Sequence, residues 1–179
     1  TPADPALFLQ RAELFRLHGE FTNSLADLDS ASSRNADRRI VLLARARTSA
    51  DAGQTANAFR CADELIALDN SSAEAFTIRA RCRLKTGEAK DAVADFNEAI
   101  ARSASPQPDL YLERARVQAA MGRFTEAVAG LDDGMARLGA TPALQMAALE
   151  YERQRGRFDA ALARIEKLAA SSAVQEVAS

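Results

Sequence analysis

The chain has 179 residues, 23 basic and 25 acidic, with a formal net charge of −2, and is 47% hydrophobic but only 6% aromatic, with no Trp. This balance provides neither the basic excess of a nucleic-acid binder nor an acidic tail, and an Ala- and Leu-rich profile disfavours sheet. No apolar run reaches the ~18 residues a membrane helix needs, and the two cysteines make neither a disulfide framework nor a thiolate zinc site.

The first predicted element opens at Asp4-Pro5, an N-cap followed by proline in the first turn, where a missing N–H costs nothing. Phe8, Arg11, Ala12 and Phe15 form one helical stripe, which stops at Gly19; a second helix runs from about Thr22, with Ser24, Leu28 and Ala31 inward. After the polar linker SSRNAD the pattern restarts near Arg39, 34 residues beyond Pro5. It restarts again at Ala73, at Pro108 (one residue late, because SASPQP lengthens the turn) and at Pro142, with Thr141 as the expected N-cap. A period of this length marks a helical array.

Three columns run through the five units. Gly19, Gly53, Gly87, Gly122 and Gly156 fall where one helix must end and the chain reverse, a position that favours φ > 0. Ala12, Ala46, Ala80 and Ala115, with Leu149 as the exception, form a second column; Ser24, Ala58, Ala92, Ala127 and Ala161 form a third. Small residues there let two antiparallel helices approach closely, with Phe76 and Phe96 filling the space between them in the third unit.

On these columns and this period the chain resembles the tetratricopeptide repeat (TPR) family over about residues 5–172. The resemblance implies an all-α, right-handed superhelical solenoid of about ten helices in antiparallel pairs, with first helices lining a concave face. The whole chain, 1–179, is expected to be one such domain, with 173–179 a tail or the start of a cap. The sequence departs from the family at Gln145, where a bulky apolar residue is expected, and at Gly134, in a usual alanine column. The carboxylate clamp of chaperone-binding members is absent: Leu9, Glu13, Ala44 and Glu74 stand at its positions.

No catalytic constellation emerges. His18 is the single histidine and has no partner for metal or nucleophile chemistry; Lys85-Thr86-Gly87 matches a β-lactamase fragment without its companion motifs and reads as a helix end. Asn70-Ser71-Ser72 is a chance-level glycosylation triplet, and Cys61 and Cys82 read as buried thiols. No cofactor or metal is expected. The column Arg11, Arg45, Arg79, Arg114 replaces the family's large apolar residue, and in units one and three Asp27 and Asp95 stand at the matching height, so Arg11–Asp27 and Arg79–Asp95 are expected as structural ion pairs.

Two residues further along each first helix, a step of ~200°, Arg47, Arg81 and Arg116 should point to the opposite, concave side. With Lys85, Leu43, Thr77, Leu112 and Glu113 they make the expected partner-binding surface, suited to a peptide or helix with spaced carboxylates. The expected function is a non-enzymatic protein–protein interaction scaffold. The alternatives are an accessory or assembly domain of a larger enzyme or secretion complex and, counted against by net charge, a helical-repeat RNA binder. Leu162, Ile165 and Ala169 at the last helix should be partly exposed, and weak homodimerisation through that hairpin is expected. The compartment stays open between cytoplasm and export with a leader removed from a chain beginning at Thr1.

Overall fold

The computed structural model describes the backbone of residues 4–139 and 141–177, and side chains as far as Ala169. Ten helices and no strand occur among the described residues: α1 Pro5–Leu17, α2 Phe21–Ser33, α3 Arg38–Asp51, α4 Thr55–Leu68, α5 Ala73–Lys85, α6 Ala89–Arg102, α7 Pro108–Ala120, α8 Phe124–Leu138, α9 Pro142–Gln154 and α10 Phe158–Val177. They pair as five antiparallel hairpins and divide into two compact units, α1–α6 up to Ser105 and α7–α10 from Pro106.

Three first helices are capped by their preceding side chain. Asp4 accepts from the Ala6 N–H at 2.9 Å, Asp37 from Arg39 at 2.8 Å and Ser72 from Ala75 at 3.3 Å. Thr141 holds the N-cap position of α9 but does not cap it; its hydroxyl donates back to the Gly139 carbonyl at 3.3 Å. Every hairpin closes with the same device. The turn glycine has φ between +72° and +86°, and the next N–H reaches five residues back, as Glu20 to Phe15 and Glu88 to Arg83, both at 2.8 Å. This is the Schellman arrangement, which satisfies carbonyls left open at a helix end.

In the first unit the small columns let the helices touch. Ala12, Ala46, Ala58, Ala80 and Ala92 are buried, and Leu28 and Phe96 are fully enclosed between the helices they join. Cys61 and Cys82 sit in this core beside Ala58, Leu65 and Ile78 as free thiols, and burial raises both thiol pKa values, which keeps them protonated.

In the second unit Tyr111 and Leu131 are fully enclosed. The glycine at 134 has a steric cause: a Cβ there would stand 2.9 Å from the Tyr111 ring and 3.1 Å from Leu144. The last hairpin is different. With Gln145 in the aromatic column, α9 buries Leu144, Ala148 and Glu152, while Gln145 and Leu149 are only half-buried. α9 consequently packs more extensively on α8 than on α10.

Candidate functional site

The column arginines bond acids of the chain in three hairpins and a backbone carbonyl in the fourth. Arg11 donates through Nε and Nη2 to both oxygens of Asp27, at 2.6 and 2.7 Å. That fork holds the Asp27 carboxyl below the usual carboxylate range, against the opposing effect of burial. Arg79 does the same to Asp95 at 3.0 and 2.7 Å, and its Nη1 reaches back to Asp63 on α4 at 2.6 Å. Arg83 adds a third donor to this cluster, Nη1 to Asp95 at 2.7 Å. Arg45 has Cys61 at the matching height and turns to Asp29 of the preceding hairpin instead. Arg114 meets Gly130, whose missing side chain lets Nη2 donate to the backbone carbonyl at 3.1 Å; a Cβ on Gly130 would stand 2.5 Å from that nitrogen. Burial lowers the Arg114 guanidinium pKa. In the last unit Arg164 stands in the aspartate column and forks onto Asp132 with two bonds of 2.7 Å.

The first-helix side of unit one is also stitched by ion pairs. Arg16 of α1 bonds Glu13 and Asp51, and the Arg47 guanidinium forks onto Glu74, tying α3 to α5. Arg47 therefore holds an acid of its own chain. Thr77 is buried and its hydroxyl donates to the Ala73 carbonyl at 3.0 Å, and Leu43 packs against the core. Arg81 and Lys85 are exposed on α5. In unit two, Leu112 and Glu113 are half-buried on α7 and Arg116 is exposed.

The second unit carries a feature that sequence reasoning did not reach: an open cleft of about 790 Å³ between α8, α9 and α10. Met135 and Ala136 form one wall and Ala160, Ala163 and Leu168 the other, with Gln145 and Glu152 from α9 below. The Arg164–Asp132 pair and Lys167 complete its lining. Glu152 is buried, and its Oε2 has no hydrogen-bond donor, with Arg155 Nη1 at 3.5 Å. The signal in the sequence was Gln145 itself. Where Phe76 and Tyr111 fill their hairpins, Gln145 fills less, and alanines at 160 and 163 do not make up the volume. A smaller polar hollow of about 340 Å³ in unit one is lined by Arg38, Arg45, Arg60, Cys61 and Glu64 among others. Among the described residues no group of three metal-ligating side chains comes together, and no helix is long and apolar enough to cross a membrane.

No family model and no curated protein matches the chain. Solved structures do. The chain is similar to the MamA protein, with 19% identity and a TM-score of 0.77 over 91% of this chain and 88% of that one. A MamA of MSR-1 aligns over 98% of both chains at 14% identity and a TM-score of 0.68. A thermophilic TPR protein of Thermus thermophilus, TTC0263, aligns at 21% identity and a TM-score of 0.61 over 91% of this chain and 89% of its own. The likeness at these identities is one of fold, and it agrees with the period, the turn glycines and the paired helices: among the described residues this chain has the fold of a tetratricopeptide-repeat array, with five helical hairpins in tandem.

Proposed function

We propose that the protein is a non-enzymatic scaffold that binds a segment or helix of a partner protein, and that the cleft between α8, α9 and α10 is a seat for that segment. The cleft itself carries this reading. It has the size of a ligand site, its walls are largely apolar, and a few polar groups converge on it. The Arg164–Asp132 pair is satisfied internally, which leaves Glu152 at the base and Lys167 at the side. The Glu152 Oε2 accepts no hydrogen bond and its ion pair with Arg155 is long, at 3.5 Å, which favours an occupant that presents apolar side chains with a basic residue among them. The test is selection of a displayed random-peptide library on the full chain, followed by rebinding to Ala163→Trp, which fills the cleft. Selected peptides should combine apolar and basic residues and lose rebinding. Peptides that bind Ala163→Trp undiminished would remove the cleft from the account.

A second surface rests on the exposed cations Arg81 and Lys85, one helical turn apart on α5. We propose it for segments with spaced carboxylates; binding there should weaken with salt over the Debye range and fall in Arg81→Ala/Lys85→Ala. Either surface serves a free-standing scaffold or an assembly domain within a larger complex.

A further inference from the structure

Inside the chain one interface is used again and again: the second helix of a hairpin against the first helix of the next. It is seen complete at α2–α3 and α4–α5, and again at α8–α9. On the first-helix side it uses two columns. Val41, Ala75 and Leu144 stand in one and are 4%, 0% and 0% exposed; Thr48 and Cys82 stand in the other at 1% and 4%. On the second-helix side it uses the column of Phe59 and Val128 and that of Leu28, Ala62 and Leu131, of which Val128 is 5% exposed and the last three are fully enclosed. The contact is specific: Ser24 on α2 meets Thr48 on α3, Oγ to Oγ1, at 3.1 Å in a buried setting.

Both halves of this interface are present a further time, exposed among the described residues. On α1 the equivalent residues are Leu7 and Leu14, which are 60% and 66% exposed; on α10 they are Leu162 and Ile165, at 56% and 48%. The polar parts correspond as well. Across α2–α3 and α4–α5 the column arginine bonds an acid on the preceding helix, Arg45 to Asp29 and Arg79 to Asp63. Arg79 uses Nη1 for this while Nε and Nη2 hold Asp95. Arg11 on α1 holds Asp27 through the same two nitrogens, which leaves Nη1 outside that pair. The residue of α10 in the column of Asp29 and Asp63 is Glu166, exposed and acidic.

We propose that two copies of this chain associate head to tail, α1 of one docking on α10 of the other in the register of α2–α3 and α4–α5. Leu7 and Leu14 cover Leu162 and Ile165, and Arg11 Nη1 bonds Glu166. The proposal is independent of the cleft, whose lining from α10 is Ala160, Ala163, Arg164, Lys167 and Leu168. The contact is heterologous, so each bound copy still offers one face and assembly grows with concentration unless it closes into a ring. One helix pair buries less than the ~1,200 Å² of a standard stable complex, which makes the association weak.

The test is analytical ultracentrifugation of the 179-residue chain over a concentration series, with Leu14→Glu and Leu162→Glu as variants. Both positions are exposed, so circular dichroism and melting should match the parent. The parent should self-associate, and each variant alone should weaken this by at least ~tenfold. Mixing the two variants should restore a 1:1 dimer, because each keeps the face that the other lacks. Glu166→Arg should weaken association several-fold, with a reduced salt dependence. Three results overturn the proposal: a monomer at every concentration, as when some other segment covers these faces; an association that Leu162→Glu abolishes and Leu14→Glu leaves intact, which is α10 against α10; or two variants that stay apart on mixing.

Discussion

The third and fifth hairpins share turn and period, yet one is closed and the other open. In the third, Phe76 and Phe96 fill the seam, Ala80 and Ala92 allow close approach, and Arg79 joins α4, α5 and α6 through Asp63 and Asp95. In the fifth, Gln145 stands for Phe76, Leu149 for Ala80 and Ile165 for Phe96; Ile165 is 48% exposed where Phe96 is fully enclosed. These exchanges leave a cleft beside α9 where the third hairpin has a core. Backbone period and side-chain filling are thus separable: the turn glycines secure the first, and the aromatic column secures the second.

The largest test of this contrast is truncation at equivalent positions. Phe96→Ala should cost ~3–5 kcal/mol of unfolding free energy, the range for a buried aromatic, whereas Ile165→Ala should cost under ~1 kcal/mol, because half its surface already meets water. Urea unfolding by circular dichroism measures both, and equal losses would refute the comparison.

Gly134→Ala comes next. Helix propensity favours the change by ~1 kcal/mol, but the added methyl would stand 2.9 Å from the Tyr111 ring, and overpacking costs ~1–3 kcal/mol. A net loss is expected. The double change with Tyr111→Leu should recover part of it, and a stabilised single variant would show that the ring yields freely.

The fifth hairpin should also be improvable. Gln145→Phe places in α9 what Phe76 places in α5 and should gain ~0.5–2 kcal/mol as a filled cavity while closing the cleft. In the peptide selection described above, that variant should lose binding as it gains stability.

The smallest effect is a dependence on pH. Because Arg11 holds the Asp27 carboxyl below its unfolded value of ~4, the pair contributes fully above that pH, and its contribution is lost as pH falls through the folded value. Arg11 is more than half exposed, so solvent screening keeps the effect small. Asp27→Asn should flatten the acid limb of stability against pH slightly, and an unchanged limb would count against the pair.

The helices were legible because their signals are local. Proline, cap and glycine positions fix each hairpin within a residue or two, and the alanine columns say which faces meet. The pairing of Arg11 with Asp27 and of Arg79 with Asp95 was legible for the same reason, since matched height in a hairpin follows from the period. What escaped depends on volume and on choices between neighbours. Sequence spacing named no partner for Arg45 or Arg114, and gave no sign that they would use Asp29 of the preceding hairpin and the Gly130 carbonyl. It placed Arg47 on a binding surface, and whether Glu74 reached it depended on side-chain geometry across two helices. Gln145 was visible as a departure, but a missing ring becomes a cleft only when its neighbours fail to close over it.

The five turn glycines lead to one more consequence. Around Gly19, Gly53, Gly87, Gly122 and Gly156 nothing lies within 4 Å of where a side chain would begin, and φ stays between +72° and +86°. Changing any one of them to valine therefore imposes nearly the same strain, set by φ alone and roughly 1–3 kcal/mol. The five single variants form a set of nearly equal perturbations placed one per repeat. Where melting of the whole chain falls by the full amount, that repeat is thermodynamically coupled to its neighbours; where only local amide exchange speeds up, it opens by itself. The turns are thus a built-in gauge of how far cooperativity travels along the array, and its smallest reading is expected at Gly156.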